Sequence, residues 1–143
     1  MIRNSSPESV DTVGSVLRPA VLGDLDGINV LIGRAVMTWA LPERVKRLAL
    51  PLYHYDPQDL EHLSILVAEE SAAALIGVAA WEPADPRDCP QGRRGLLLHG
   101  LYVAPDRQGL GLGSRLLAAA ADAARDQSYD GVLVKAQADA VGF

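Results

Sequence analysis

The stretch Leu96 to Leu117, LLLHGLYVAPDRQGLGLGSRLL, constrains the fold more than any other part of this chain. An apolar strand ends at Val103-Ala104-Pro105, and a polar turn of Asp106, Arg107 and Gln108 follows. Gly109, Gly111 and Gly113 then alternate with Leu110 and Leu112, and a Leu/Ala-rich helix begins inside the glycine run. Glycine lets backbone pass close to a ligand. The first N–H groups of a helix have no partner within it, and the helix dipole adds partial positive charge there. Strand, glycine loop and helix start in this order predict an anion site, with a phosphate-bearing ligand on residues 108–114.

The flanking sequence supplies a domain around that loop. Val16-Leu17-Arg18-Pro19 reads as a short strand closed by proline. Asp24 is the expected N-cap of a helix whose apolar face is Leu25, Ile28, Leu31, Ile32, Ala35 and Val36. Pro42 and Glu43 open a second helix with Val45, Leu48 and Ala49 on one side, and Pro51 is expected to stop it. Residues 52–63 read as a loop with a helical turn after Asp56-Pro57. Ser64–Ala68 and Ala74–Trp81 flank the polar Glu69-Glu70-Ser71 and predict an antiparallel hairpin. Residues 82–95, rich in proline and glycine, form a surface loop. Leu96–Val103 is the third long strand. Leu112, Leu116, Ala120, Ala123 and Ala124 carry the next helix to about Gln127. Asp130-Gly131 then turns into Val132–Lys135, a strand parallel to Leu96–Val103. The expectation is a flexible leader, residues 1–15, and one α/β domain over 16–143.

Composition narrows the function classes. A chain of 143 residues, 49% hydrophobic and 22% charged, can bury a core as a single globular unit. No apolar run approaches membrane-spanning length, and residues 1–15 lack a secretory apolar stretch, so no membrane partner is expected. Cys89 is the only cysteine, which excludes an internal disulfide or a cysteine metal cluster and fits a reducing, cytoplasmic setting. His54, His62 and His99 lack metal-ligand spacing, so no metal is expected. A net charge of −5 argues against nucleic-acid binding.

Two glycine fingerprints fail here. A dinucleotide site needs G-x-G-x-x-G after the first strand of a parallel unit, and a P-loop needs Gly-Lys-Ser/Thr. This chain has Gly109-x-Gly111-x-Gly113 after an antiparallel hairpin, and Gly113-Ser114-Arg115 has no lysine. The stretch from His99 to Leu117 instead resembles the acetyl-CoA-binding motif of the GNAT superfamily of N-acetyltransferases. Gln108, Gly111 and Gly113 satisfy the family's Arg/Gln-x-x-Gly-x-Gly/Ala pattern, and Leu101-Tyr102-Val103-x-Pro105 matches the strand before it. The resemblance implies a GNAT-like three-layer α/β/α domain with a mixed, mainly antiparallel sheet. It also implies acetyl transfer from acetyl-CoA to a primary amine by direct attack in a ternary complex. The alternative is a non-catalytic acyl-CoA-binding module that keeps the phosphate loop alone.

On this resemblance the coenzyme's pyrophosphate lies on Arg107, Gln108, Gly109, Leu110, Gly111, Leu112, Gly113 and Ser114. Its pantetheine arm runs along Leu101, Tyr102 and Val103. The two parallel strands must splay there, helped by a bulge that Gly100 would permit. His99 alternates with Leu97, Leu101 and Val103, which puts it on their side of the sheet. It is the candidate general base, since imidazole exchanges protons near neutrality; the alternative is a histidine hydrogen-bonded at a strand start. Glu82 is a second candidate base. Trp39, Tyr53, Tyr55 and Trp81 are candidates for lining an amine-acceptor pocket, with core packing the alternative for both tryptophans. Arg107 and Arg115 flank the phosphate loop.

The end of the sequence departs from the family pattern. Lys135–Phe143, KAQADAVGF, resembles the next family helix, Asn-x-x-Ala-x-x-Phe-Tyr, with Gln137 for Asn and with Ala140 and Phe143 matching. The tyrosine that serves as general acid, and the two final strands, do not follow. The expectation is therefore a sheet with truncated C-terminal strands and an open edge that favours a homodimer.

Overall fold

A computed structural model describes residues 15–70 and 74–134 of the chain. Most of the expected leader, the hairpin apex at Ser71, Lys135 and the segment to Phe143 lie outside the described residues. Strands β1 (Val16–Pro19), β2 (Ser64–Glu70), β3 (Ala74–Pro83), β4 (Gly95–Val103) and β5 (Gly131–Val134) form one sheet in chain order. The first four are antiparallel neighbours, and β5 runs parallel to β4. The helices are α1 (Leu25–Val36), α2 (Glu43–Tyr53), α3 (Pro57–His62) and α4 (Leu112–Asp126).

Two irregularities in register decide which residues share a face. Ala68 pairs with Gly77 and Glu69 with Leu75, so Ile76 is an extra residue that turns Leu75 away from Gly77's side. Leu75 lies under α1, where its Cδ1 is 3.2 Å from the Cβ position of Gly27. Gly77 lies under α4, where a Cβ would meet Leu116 at 3.0 Å and Leu112 at 3.1 Å. Glycine at 77 is therefore what lets α4 seat against β3. The two long helices cover opposite faces, giving three layers. Ile28, Leu31, Ile32 and Val36 of α1 and Leu112, Leu116, Ala120 and Ala124 of α4 belong to the buried core.

Several expectations need correction. Asp24 does not cap α1: its own backbone is helical (φ −85°, ψ −13°), whereas a capping residue is extended. Its carboxylate instead accepts from Arg18 at 2.8 and 2.9 Å and from the Val21 N–H at 2.8 Å. Pro51 does not stop α2. It lacks one backbone donor, yet the helix runs on to Tyr53. The α2 face expected inside is outside, with Val45 43% and Leu48 70% exposed.

The buried residue of α2 is Lys46, 4% exposed. Its ammonium donates to the carbonyls of Met37 at 2.7 Å and Trp39 at 3.2 Å and pairs with Glu43 at 3.1 Å. Carbonyls at a helix C-terminus need donors from outside the helix, and Lys46 satisfies those just beyond α1. The loop at 52–63 holds a full short helix, α3, where Asp56 and Asp59 each accept from the other's backbone N–H at 3.0 and 2.8 Å. No helix among the described residues is long and apolar enough to cross a membrane.

Candidate functional site

The glycine loop is held from both sides. After β4, the Ala104 N–H donates to the Ile76 carbonyl at 2.8 Å, and a 3-10 turn spans Pro105–Arg107. The Arg107 guanidinium grips Glu70 at the end of β2 through two bonds, 2.9 and 2.6 Å. Asp106 accepts from Arg34 of α1 at 3.2 Å. Gly109 and Gly111 then take left-handed backbones, φ +82° and +84°, which only glycine adopts without strain. Nothing lies within 4 Å of a Cβ at either position, so conformation rather than crowding requires them. Gly113 is already helical, with its Cβ position 3.8 Å from Leu101 and Val103.

This loop and the start of α4 frame an open groove of about 260 Å³. Leu101, Val103, Arg107, Gln108, Gly109, Leu112 and Gly113 line it, all of them coenzyme candidates from the sequence. The groove floor is apolar and its rim offers the free N–H groups of a helix start, a fit for a phosphorylated ligand with a long arm. Leu110, Gly111 and Ser114 are exposed beside it. Arg107 reaches the groove with its guanidinium engaged by Glu70, and Arg115 donates to the Ser15 hydroxyl at 3.0 Å.

The strand distortion falls at His99. Ala80 pairs with Gly100 and Trp81 with Leu98, so His99 is an extra residue on β4. This overturns the expected alternation. Leu98, Leu101 and Val103 share the α4 face, whereas Leu97, Gly100 and Tyr102 share the α1 face. His99 also turns to the α1 face, where the Tyr55 hydroxyl lies 3.2 Å from its Nδ1. Gly100 does not supply the bulge through a left-handed backbone. It supplies room: a Cβ there would lie 2.6 Å from the Tyr55 hydroxyl oxygen and 2.9 Å from the Tyr102 ring. Among the described residues β5 accompanies β4 over Gly95–Leu98.

Aromatic residues collect on this α1 face. Tyr55 packs its ring 5.6 Å from the His99 ring, and Trp39 meets Tyr53 edge-on at 5.5 Å. Burial, followed by Tyr102, Asp59 and Glu82, pushes the Tyr55 phenol well above its usual range. Burial and the neighbouring Tyr53 push Tyr102 up to about 12. Glu82, half-buried, opposes Leu97 on the same face. Trp81 does not join them. It is 7% exposed in the core on the α4 face, with its indole N–H unpartnered among the described residues.

Sequence reasoning missed Asn29. Its amide donates to the Tyr55 carbonyl and accepts from the Tyr55 N–H, both at 2.9 Å. An asparagine inside an amphipathic helix, a poor place for it, was the available signal. His54 and His62 are exposed, and the Cys89 thiol lies 3.7 Å from the Asp85 carbonyl.

Known proteins are similar to this chain in sequence and in fold. The model of the acetyltransferase (GNAT) family matches residues 33–143. The chain is 33% identical over 118 residues to L-methionine sulfoximine/L-methionine sulfone acetyltransferases of Pseudomonas aeruginosa and Pseudomonas paraeruginosa. That match covers 78% of this chain and 64% of each relative's own length. Among solved structures, the PaiA N-acetyltransferase of Thermoplasma acidophilum in complex with coenzyme A aligns with TM-score 0.72 at 14% identity, covering 91% of this chain and 84% of the other. A GNAT family acetyltransferase of Brucella melitensis in complex with acetyl-CoA aligns with TM-score 0.66 at 21% identity, covering 92% and 79%. At those identities the structural likeness speaks for the fold.

Proposed function

The chain belongs to the GNAT acetyltransferase family, and from that premise we propose that it moves an acetyl group from acetyl-CoA to a primary amine in the cytoplasm. The observation that carries this reading is the groove between β4 and α4, which runs from Leu101, two residues beyond the His99 bulge in the chain, to the left-handed Gly109 at the start of the phosphate loop. The pyrophosphate lies on the N–H groups of residues 107–114, and the pantetheine arm follows the β4 backbone at Leu101, Tyr102 and Val103, beyond the last β4–β5 pair among the described residues. That placement brings the thioester to the bulge. The amine nitrogen attacks the carbonyl carbon, a C–N bond forms as the C–S bond breaks, and the electron pair leaves on sulfur.

His99 is our catalytic residue, because it stands at the bulge with an exposed ring. Glu82, across from Leu97 on the same face of the sheet, is the second candidate base. Trp39 and Tyr53 form the acceptor wall, and the core placement of Trp81 takes it off that wall. We also propose a homodimer, which light scattering across micromolar concentrations tests; a constant monomer mass removes it.

Calorimetric titration with acetyl-CoA tests the reading directly. Gly111→Asp puts a side chain and a negative charge at φ +84° beside the helix start, and micromolar binding should disappear. Thiol release with L-methionine sulfone and L-methionine sulfoximine then tests turnover. Binding without turnover on these and a broad amine panel favours the non-catalytic module. A folded protein that binds no coenzyme overturns the reading.

A further inference from the structure

This inference rests on His99 as the catalytic residue and concerns how its imidazole is held. Tyr55 lies two residues beyond α2 and is 4% exposed. Asn29 clamps its backbone on both sides, at 2.9 Å each. Gly100 leaves the space that its hydroxyl occupies, since a Cβ there would stand 2.6 Å from the oxygen. That fixed hydroxyl meets Nδ1 of His99 at 3.2 Å. Burial keeps the phenol protonated. Among the described residues Nδ1 is its one hydrogen-bond partner, and a buried O–H with an acceptor in reach donates to it.

We propose that Tyr55 is a positioning residue: its hydroxyl donates to Nδ1 of His99 and holds the neutral ring with its proton on Nε2, so that His99 is a hydrogen-bond donor and not the base. With Nδ1 taken from behind, Nε2–H is the ring group left to the exposed side. There it stabilises the thioester oxygen as negative charge develops on it. His99 neither gains nor loses a proton in this step. The proton of the acceptor ammonium goes to Glu82, the carboxylate on the same face; the second N–H proton, released as the tetrahedral intermediate collapses to the amide, goes to solvent, and solvent protonates the departing thiolate.

Nitrogen-15 NMR of the uniformly labelled chain at about pH 9, where imidazole is ordinarily neutral, tests the assignment with no acceptor present. The chain has three histidines, and a His99 variant identifies the signal. His99 should carry its proton on Nε2, with a slowly exchanging Tyr55 hydroxyl proton that Tyr55→Phe removes. A proton on Nδ1 overturns the proposal.

Turnover of L-methionine sulfone with acetyl-CoA supplies the second arm. His99→Ala should lower kcat about a hundredfold, as loss of one oxyanion donor does. His99→Gln, which restores an N–H but cannot take a proton, should recover to within about tenfold of the native rate. Tyr55→Phe, checked for folding by circular dichroism, should lower kcat about tenfold, roughly one hydrogen bond, at unchanged KM for acetyl-CoA, and should add nothing to His99→Ala. A glutamine variant as slow as the alanine variant overturns the donor role. Native kcat in Tyr55→Phe alongside a slow His99→Ala overturns the positioning role alone. Native kcat in His99→Ala overturns the reading of His99 on which both depend.

Discussion

Gly111 and Gly113 stand two residues apart in the same loop, and the structure gives them different work. Gly111 is left-handed at φ +84° in open space, whereas Gly113 is helical and 3.8 Å from its nearest neighbours. Gly111→Ala should cost about 1–2 kcal/mol, because a Cβ is strained in that conformation. Gly113→Ala should be neutral or should stabilise by up to about 1 kcal/mol, because alanine favours helix. Urea denaturation of the two variants tests the contrast, and equal losses would show that crowding rather than backbone shape selects glycine here. The sequence announced the glycines as a group. It could not separate them, because backbone dihedrals are fixed by how the turn is anchored to Glu70 and Arg34.

Short polar devices at the ends of elements do much of the fastening. Lys46 reaches from α2 to carbonyls beyond α1, and Lys46→Met keeps the stem while taking the ammonium from the Met37 carbonyl; the Trp39 carbonyl keeps the Leu41 N–H at 2.9 Å. The expected loss is about 1–3 kcal/mol, read as a lower urea midpoint; an unchanged midpoint would mean that water replaces the ammonium at no cost. Arg18 joins β1 to both Glu69 and Asp24, at 2.8 Å each. Hydrogen bonding from Arg18 holds the Asp24 carboxyl below the usual range against the opposing effect of burial. A carboxyl whose value is lower folded than unfolded adds stability above its unfolded value and loses it as pH falls. The stability gap between the native chain and Asp24→Asn should therefore be widest at neutral pH and close in the acid range; a gap that stays constant with pH would exclude the ion pair as its source. Helix existence was legible from apolar spacing. The exposed face of α2 was not, because spacing identifies an amphipathic helix without saying whether its apolar side finds a neighbour.

The molecule as a whole depends on two helices reaching one sheet from opposite sides. Gly77→Val should separate α4 from β3, since even a Cβ meets Leu116 at 3.0 Å, and overpacking of this kind costs about 1–3 kcal/mol. Weaker acetyl-CoA binding should accompany the loss, because Leu112 contacts both Gly77 and the groove; native affinity would show that the groove tolerates a displaced helix. The sequence by itself determined the strand–glycine loop–helix unit, the order of elements and the family resemblance. Those are local matters of periodicity, turn chemistry and backbone freedom. Tertiary structure decided the rest. One extra residue at His99 reversed the alternation along β4, sent His99 to the α1 face and set it against Tyr55, 44 positions earlier in the chain. A bulge is defined by two strands paired together, so no count along one strand reveals it. Trp81 went to the core for the same reason: its face was chosen by its partners across the sheet.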